Sequence, residues 1–395
     1  MAQLTARTTT SAGIPVFINT RSQSAGFSGV QRYAIELQRR IGDRVTAVAP
    51  RKPMHGLKGH MWEQTYLPTI VRGGLLWSPA NSGPLAVKKQ VVNVHDVASI
   101  DHPEWYSPAF GTWYRWMTPM LIRRAQRVLT LSDFSKQRLL ALSRVDESHV
   151  VVIPPGVDRR FRPQPGREIE RVKAALRIPS SNYILSVGTL EPRKNLQRLL
   201  SAWASCVSEV PDDITLVIAG LGGSSRVFSS AQLGAIGPRV HVTGFVSDGD
   251  LPALYSGALA FAYVSLYEGF GLPALEAMAC GTVPIAAMNT ALPEVIGDAG
   301  LLIDPFSSEA IAAALKRIIS EPELRDRLRT RAIERSRQFS WERTADLTWS
   351  VIESVAGCWQ KHSAEASNAK TAEASNAKNR HVGSMPAKLR RSRDC

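Results

Sequence analysis

Short apolar runs alternate with helical patterns along most of this 395-residue chain. Such alternation is typical of parallel sheets whose strands are joined by helices, and ligands in those sheets bind at the carboxyl ends of the strands. We therefore predict an α/β fold built on doubly wound parallel sheets. The runs that we interpret as strands are 15–20, 44–50, 75–80, 91–96, 127–132, 149–154, 183–187, 214–220, 239–245, 259–264 and 283–288.

Length and composition narrow the class of protein further. The chain is long enough for two domains of ordinary size, and prolines crowd positions 151–166, where we place the boundary between them. No apolar run reaches the length of about 18 residues that suggests a membrane span, and positions 1–13 lack the apolar segment of a secretory signal. The four cysteines form no C-x-x-C pair, which argues against a zinc site or a disulfide framework. We expect a cytoplasmic protein.

Positive charge is concentrated in the first half of the chain, whose formal net charge overall is +14. Positions 1–180 hold 26 Lys+Arg and 12 Asp+Glu, a difference of +14, whereas positions 181–360 hold 14 and 19, a difference of −5. A cationic half predicts an anionic partner, for which lipid headgroups, a lipid diphosphate and nucleic acid are candidates. No nucleic-acid motif accompanies the charge, so we place nucleic acid last.

The stretch 265–281, which reads S-L-Y-E-G-F-G-L-P-A-L-E-A-M-A-C-G, carries the strongest site signal. Gly269 and Gly271 loosen the backbone after a predicted strand, and the helix that follows would direct free N–H groups and its positive end at an anion. Glu268 and Glu276 frame this position, and carboxylates accept hydrogen bonds from hydroxyls rather than bind phosphate. A ligand with both phosphates and hydroxyls is a nucleotide sugar. The alternative is an ordinary strand-to-helix turn with a capping Glu268 and a solvated Glu276.

Two cations follow another predicted strand. The strand at 183–187 leads into G-T-L-E-P-R-K-N, which places Arg193 and Lys194 just before a predicted helix. Cations beside a helix N-terminus would balance a diphosphate and stabilise it as a leaving group. A solvent-facing basic pair is the alternative, and the glycine turn at Gly188 favours the site.

The first half offers further candidate contacts. Gly29 lies in a glycine-containing loop before a predicted helix, which suits either phosphate approach or a plain turn. His95 and Asp96 end a predicted strand, where they would contact a sugar hydroxyl or cap the next turn. The stretch 101–127 combines aromatic rings with a basic cluster, which suits a membrane headgroup interface. A helix that packs its rings into the core is the more usual outcome, and base stacking on nucleic acid is a third interpretation.

Three other segments have structural interpretations. S-D-G-D at 247–250 resembles a metal–diphosphate motif, but Ser and Asp before a helical pattern are typical of an N-cap, which is our interpretation. Glu294 faces the nucleotide or caps a helix, and the sequence leaves both open. A last helix is predicted from Ser340 to about Cys358. The repeated A-E-A-S-N-A-K that follows and the basic end predict disorder over 361–395.

Five motifs together resemble the retaining glycosyltransferases of family 4, which have the GT-B architecture of two facing Rossmann-like domains. They are SDFSKQRL at 132–139, VVIPPGVD at 151–158, SVGTLEPRKNL at 186–196, YEGFGLPALEAMACGTVP at 267–284 and EVIGDAGLLIDP at 294–305. Glu268 and Glu276 match the Glu-x7-Glu spacing of the family. HDVASIDHPEWYS, which begins at His95, is similar to mannosyltransferases of bacterial polysaccharide synthesis, including those that add mannose to cellobiosyl-diphosphate-polyprenol in acetan- or xanthan-like pathways.

The resemblance implies roles for the site residues. Glu268 would contact the donor sugar, and Glu276 would bind the ribose hydroxyls. Arg193 and Lys194 would bind the diphosphate, while His95 would lie near the reactive carbon of the sugar. The remaining donor contacts would be Gly29, Gly188, Gly269, Phe270, Gly271 and Leu272.

Two further positions bear on these implied roles. Asp96 is a candidate contact for sugar or acceptor. Thr189 follows the strand-end glycine where many relatives have Arg, which places more of the diphosphate stabilisation on Arg193.

The resemblance also implies a division of the chain into domains. It consists of a flexible N-terminus at 1–13, an acceptor- and membrane-facing domain at 14–178, a nucleotide-sugar domain at 179–338, a helix at 339–360 that crosses back to the first domain, and a disordered basic tail at 361–395.

The implied reaction is front-face substitution, in which the leaving phosphate assists deprotonation of the acceptor, so the two acids are not a glycosidase pair. Neither a metal nor a cofactor is implied. We expect transfer of mannose from GDP-mannose to a polyprenyl-diphosphate-linked, cellobiosyl saccharide by an enzyme on the inner face of the cell membrane, bound peripherally to its anionic surface. The alternatives are a UDP-sugar donor, a nucleotide-sugar epimerase of the same fold, and a nucleic-acid binder.

Overall fold

The computed structural model describes residues 9–24, 29–220 and 237–379, and at positions 24 and 361–379 it describes the backbone alone. Strands and helices alternate, as the apolar pattern predicts. The elements of the first half are β1 Val16–Asn19, α1 Gly29–Ile41, β2 Thr46–Val48, α2 Gly56–Thr65, α3 Leu67–Ile70, β3 Leu75–Ser78, β4 Gln90–Asn93, α4 Ala98–Asp101, α5 Pro108–Arg124, β5 Arg127–Thr130, α6 Asp133–Ser143 and β6 Val150–Val152.

The second half repeats this alternation and ends in three helices. Its elements are α7 Gly166–Ala175, β7 Asn182–Val187, α8 Leu196–Cys206, β8 Ile214–Ala219, β9 Val240–Gly244, α9 Leu251–Ser256, β10 Ala260–Tyr263, α10 Leu272–Ala279, β11 Val283–Ala287, α11 Leu292–Ile296, β12 Leu301–Ile303, α12 Ser308–Ser320, α13 Pro322–Ser336 and α14 Trp341–Asn379. Each run interpreted as a strand contains one, and β12 is a three-residue strand that the sequence did not predict.

Two six-stranded parallel sheets result, and they confirm the expected doubly wound class. The strand order is β2-β1-β3-β4-β5-β6 in the first sheet and β12-β11-β10-β7-β8-β9 in the second. In the second sheet the chain runs outward from β7 to β9, returns to the middle and runs outward again from β10 to β12. The direction of winding therefore changes between β7 and β10, and the crevice beyond their carboxyl ends is where such sheets bind ligands.

Helix α14 crosses from the second domain to the first, as the GT-B architecture requires. Trp341, Trp349 and Ile352 on this helix are buried with Ile18 of β1 and Tyr33 of α1 in one apolar cluster. At the start of the helix, the Thr344 hydroxyl donates to the Pro154 carbonyl oxygen at 2.8 Å. The C-terminal helix thus contributes side chains to the apolar core of the first domain.

At both ends of the chain, the structure describes part of the segments that the sequence predicts to be flexible or disordered. Helix α14 is described as far as Asn379, over residues rich in the strong helix formers alanine, glutamate and lysine, and the disorder expected over 361–395 stays a prediction. Positions 380–395 lie outside the described residues. Near the N-terminus, 9–13 form a turn in which the Thr10 and Ile14 backbones hydrogen-bond, whereas 1–8 lie outside the described residues.

The aromatic stretch divides between core and surface. Helix α5 buries Met117 and Leu121, whereas Trp113 is half-buried against His60 of α2 and Trp116 is 57% exposed. Its rings therefore lie at the rim of the first domain rather than in its centre. Within the described residues, no helix combines the length and apolarity that crossing a membrane would need.

Candidate active site

A buried ionic cluster occupies the crevice between β7 and β10. Lys194, in a short turn after β7, donates from Nζ to Glu268 Oε1 at 2.7 Å and to the Tyr263 hydroxyl at 2.9 Å. Glu268 follows β10, and the Lys194 and Glu268 side chains are 9% and 8% exposed. The change in winding direction thus brings together residues 74 positions apart in the chain.

Arg193 adds a second cation to this cluster. Its Nη1 donates to Glu268 Oε2 at 3.1 Å, and its Nε donates to Glu191 Oε2 at 2.6 Å. The Thr189 hydroxyl hydrogen-bonds Glu191. Gly188 ends the strand, and a Cβ there would lie 3.4 Å from the Lys194 side chain. Two cations and two carboxylates therefore share one small volume.

The charges of this cluster hold Glu268 ionised. Burial would raise the pKa of Glu268, but the opposite charges of Lys194 and Arg193 outweigh it and lower the pKa to about 2. Glu268 and Glu191 similarly raise the pKa of Arg193 well above its usual value, against the effect of burial. Burial lowers the pKa of Lys194, and the charge of Glu268 opposes that shift. At neutral pH Glu268 is therefore an acceptor of hydrogen bonds rather than a base.

The turn after Glu268 leads into helix α10 as the glycine pattern predicts. Gly271 is the N-cap with φ of +106°, a left-handed conformation that favours glycine, and Pro273 lies in the first helical turn. The free N–H groups of this turn and the helix dipole would stabilise an anion in front of it. Phosphate and sugar groups could thus meet Arg193, Lys194 and Glu268 at the same end of the sheet.

Gly269 is a point of close approach between the two domains. A Cβ at this position would lie 2.6 Å from the His95 carbonyl oxygen and 2.8 Å from Asp96 Cβ, so no side chain fits. The hydroxyls of Ser132 and Ser135 in the first domain donate to the Gly269 carbonyl oxygen at 2.8 and 3.3 Å. These contacts set the strand ends of the first sheet against the glycine turn of the second.

His95 is buried, with its ring directed back into the first domain. Its Nε2 lies 2.8 Å from the Pro79 carbonyl oxygen, which requires a donor, so Nε2 carries the proton and Nδ1 is the acceptor. Burial lowers the pKa of His95 to about 4, so the ring is neutral at physiological pH. Its edge-on contact with Tyr33, at 4.7 Å between ring centroids, fixes the orientation.

Asp96 faces the second domain next to His95. Its carboxylate accepts from the Ala98 backbone N–H at 3.1 Å, which is the turn cap that the sequence left as one alternative. Burial raises the pKa of Asp96, while Arg193 across the domain boundary opposes that shift. Asp96 therefore lies within electrostatic reach of the Arg193–Glu268 cluster.

Glu276 forms a second ionic cluster that the sequence did not predict. Its buried carboxylate pairs with Arg32 Nη1 from α1 of the first domain, and Arg32 Nη2 donates to Asp248 Oδ1 at 2.6 Å. Arg160 approaches the other oxygen of Asp248 at 3.4 Å. Asp248 thus belongs to an inter-domain ion network. The Ser247 hydroxyl accepts from the Asp250 N–H in the turn before α9, whereas the N-cap residue is Asp250 and its side chain makes no cap hydrogen bond, which differs from the predicted N-cap.

The other predicted donor contacts lie along the domain boundary. A Cβ on Gly29 would lie 3.7 Å from the Leu272 side chain, so the first turns of α1 and α10 face each other. The Phe270 side chain is 5% exposed in the apolar cluster of the first domain and meets Phe339 edge-on. Only the backbone of Phe270 is therefore available to a ligand.

Glu294 caps a helix, and the helix belongs to the other domain. Its carboxylate accepts from the backbone N–H groups of Asp133 and Phe134 at 2.8 and 2.7 Å, at the N-terminus of α6. The sequence left capping and nucleotide contact open, and the structure selects capping. The motifs that begin at positions 132 and 294 thereby meet across the boundary.

Five residues of the two clusters were not among the predicted site residues: Glu191, Tyr263, Arg32, Asp248 and Arg160. Glu191 lies in the motif at 186–196, and Tyr263 lies in the predicted strand at 259–264. Their closeness in sequence to predicted site residues is the signal that could have identified them. Arg32 and Asp248 meet only because the domains face each other, which spacing in one chain does not encode. Among the residues that the structure describes, no three His, Cys, Asp or Glu side chains are grouped so that they could hold a metal ion.

Comparison with known proteins shows which family the chain resembles. The family model described as "Glycosyl transferases group 1" matches residues 168–335, and "Glycosyltransferase Family 4" matches residues 69–161. O-antigen chain mannosyltransferase B of Escherichia coli is 32% identical over 262 residues, which cover 66% of this chain and 68% of the relative. Serotype-specific mannosyltransferase WbdA of Escherichia coli is 30% identical over 66% of this chain, and the match spans 32% of the relative's length.

Solved structures agree on the fold. The structure of HepE from Anabaena, solved in complex with UDP and glucose, superposes with a TM-score of 0.69 at 19% identity, over 86% of this chain and 99% of that chain. Two facing parallel-sheet domains, a crossing C-terminal helix and a glycine turn at the switch point define a GT-B glycosyltransferase. The chain belongs to family 4 of the GT-B glycosyltransferases.

Proposed function

We propose that the protein is a retaining α-mannosyltransferase that moves mannose from GDP-mannose to a polyprenyl-diphosphate-linked oligosaccharide, with a cellobiosyl lipid as the acceptor. The observation that carries the proposal is the pairing of Glu268 with Lys194 and Arg193 at the switch point of the second sheet. This arrangement offers cations to a diphosphate and a fixed carboxylate to sugar hydroxyls within one crevice.

The chemistry follows from these positions. The bond between the sugar C1 and the phosphate oxygen breaks, and a bond from C1 to the acceptor oxygen forms on the same face. The acceptor proton passes to the leaving phosphate oxygen, while Arg193, Lys194 and the N-terminus of α10 stabilise its negative charge. Because Glu268 is already paired with both cations, we expect it to orient the sugar rather than act as a base. Neutral His95 would accept a hydrogen bond from a sugar hydroxyl at Nδ1.

The names of the relatives support mannose as the transferred sugar. O-antigen chain mannosyltransferase B and mannosyltransferase WbdA of Escherichia coli both align with about two thirds of this chain. Their similarity supports the sugar rather than the acceptor. The cellobiosyl acceptor rests on the likeness of the His95 segment to acetan- and xanthan-type enzymes.

A surface of the first domain supports a membrane-bound acceptor. Leu57 and Met61 on α2, Tyr66 just after it and Trp116 on α5 are between 57% and 68% exposed. Helices α2 and α5 adjoin, because the rings of His60 and Trp113 lie 4.9 Å apart. Exposed Arg51, Lys52 and Lys58 accompany this apolar surface, and apolar side chains beside cations suit an anionic bilayer.

The test is a transfer assay with the full-length protein. We expect GDP-mannose and a synthetic cellobiosyl-diphosphate lipid to yield a trisaccharide lipid whose new linkage is α, measured by mass spectrometry and NMR. Matched reactions with UDP-glucose and without acceptor complete the design. Turnover of a UDP-sugar alone would overturn the donor, and acceptor-independent conversion of the donor would indicate an epimerase instead.

A further inference from the structure

Arg32 is a side chain of the first domain that contacts Glu276, the predicted ribose contact of the donor site. It lies one turn into α1, close after Gly29, and contacts the carboxylate of Glu276 on α10. Its second nitrogen donates to Asp248 before α9, at 2.6 Å. The Arg32 and Glu276 side chains are 16% and 6% exposed, so this pair is largely shielded from solvent.

The groups around Glu276 come from four parts of the chain. The Tyr255 hydroxyl of α9 lies 3.5 Å from Glu276 Oε2. Cys280 lies one helical turn after Glu276 in the same segment. Asp248 adds a like charge, and Arg160 is paired with Asp248. Burial raises the pKa of Glu276 to about 7, and Arg32 is the strongest of the described groups that oppose this shift. The negative charge of Glu276 therefore depends on Arg32, which belongs to the first domain.

We propose that Arg32 is a positioning residue that fixes the carboxylate of Glu276 across the domain boundary, so that the two ribose hydroxyls of the donor nucleotide are recognised fully only when the first domain is docked. The inference rests on the proposed function in one respect, which is that Glu276 accepts the ribose hydroxyls. A carboxylate accepts hydrogen bonds at both oxygens, whereas a neutral carboxyl group loses part of that capacity. Arg32 thereby links domain closure to nucleotide recognition.

The alternative is that Arg32 only holds the two domains together. That role predicts that removing Arg32 weakens the binding of all nucleotides equally. A positioning role predicts that the loss is confined to nucleotides that have ribose hydroxyls. The two roles are therefore separated by a ligand pair that differs only at the ribose, in the manner of a double-mutant cycle.

The experiment measures binding of GDP and 2′,3′-dideoxy-GDP to the full-length protein by calorimetry, and repeats both with UDP and 2′,3′-dideoxy-UDP. The variants are Arg32→Met, Arg32→Lys and the control Arg39→Met, whose side chain is 67% exposed on the same helix. We expect the wild type to prefer GDP over its dideoxy form about tenfold or more, which corresponds to about 1.4 kcal/mol. Arg32→Met should bring this ratio close to one, Arg32→Lys should restore part of it, and the control should keep it.

A pH series adds a second readout. In the wild type the ratio should fall as the pH drops below about 7, because Glu276 becomes protonated. In Arg32→Met a preference for the ribose form should reappear only at higher pH, since the opposing cation is gone. A wild-type ratio that does not change with pH would contradict the role assigned to the Glu276 carboxylate.

The outcomes separate this inference from the proposed function. If Arg32→Met weakens both members of a nucleotide pair equally, the positioning role is wrong even though the donor assignment stands. If the wild type binds UDP but not GDP, the donor assignment fails and the UDP pair decides the role of Arg32. If the wild type does not distinguish ribose from dideoxyribose in either pair, Glu276 is not the ribose acceptor and both proposals lose that contact.

Discussion

Lys194 is the side chain whose removal should affect turnover most directly. Its ammonium group is buried between Glu268 and Tyr263, where it would stabilise the charge that develops on the leaving diphosphate. We expect Lys194→Met to lower kcat by about 100-fold or more, the usual cost of one transition-state donor. Steady-state kinetics with the donor would measure this. Lys316→Met, at a surface ion pair with Glu209, is the matched control, and equal losses in both variants would contradict the role of Lys194.

Glu268 should contribute to stability in a pH-dependent way. Its pKa in the folded protein is about 2, below the ordinary 4.5, so its stabilising effect is complete above about pH 4.5 and is lost as the pH falls through about 2. We expect Glu268→Gln to destabilise the protein at pH 7, by an amount on the order of 3 kcal/mol. The difference from the wild type should shrink toward pH 3.

Denaturant unfolding at pH 7, 5, 4 and 3 would measure this difference. Glu147→Gln, at a carboxylate that is 76% exposed, is the control and should show little effect at any pH. A Glu268→Gln difference that stays constant down to pH 3 would show that the Lys194 and Arg193 charges do not act on this carboxylate.

The candidate site was predictable where its chemistry lies in local motifs. Glu268 and the Arg193–Lys194 pair follow strands with readable apolar patterns, and parallel strands end on one side of a sheet. Arg32 was not predictable in this way, because its partner lies 244 positions away on the other domain. Asp248 shows the same limit, since its local pattern indicates a cap and its ion pairs come from tertiary structure.

At the scale of elements, the glycine turn between β10 and α10 should control the approach of the two domains. We expect Gly269→Ala to force the turn away from His95, because its Cβ would lie 2.6 Å from that carbonyl oxygen. The cost should be about 1–3 kcal/mol in stability, with a larger relative loss of kcat/KM than of stability. Unfolding curves and donor kinetics would measure both. Gly166→Ala is the control, since a Cβ there meets nothing within 4 Å, and full activity of Gly269→Ala would contradict the prediction.

The elements themselves were largely predictable, because apolar runs and helical patterns alternate clearly. The eleven strands that the sequence indicates are present, and the extra strand β12 is only three residues long. The end of the last helix was less predictable. Low complexity favours disorder over 361–395, whereas alanine, glutamate and lysine favour helix, and α14 is described as far as Asn379.

For the whole molecule, two truncations should behave in opposite ways. A chain that ends at Gln360 keeps the part of α14 that packs on the first domain, so we expect normal folding and unchanged activity on a soluble acceptor analogue. A chain that ends at Phe339 loses Trp341, Trp349 and Ile352 from the core of the first domain, and should not unfold cooperatively. Calorimetry and the transfer assay would measure this. An inactive chain ending at Gln360 would assign a catalytic role to the last residues.

Helix α14 also sets the order in which the protein can become stable during its synthesis. The ribosome completes the strands of the first domain long before it makes Trp341 and Trp349, the side chains that close their apolar face. Until then the nascent first half displays an open hydrophobic surface, which is a binding site for chaperones. A premature stop anywhere before α14 would therefore leave a product prone to aggregation and degradation, however complete its second domain.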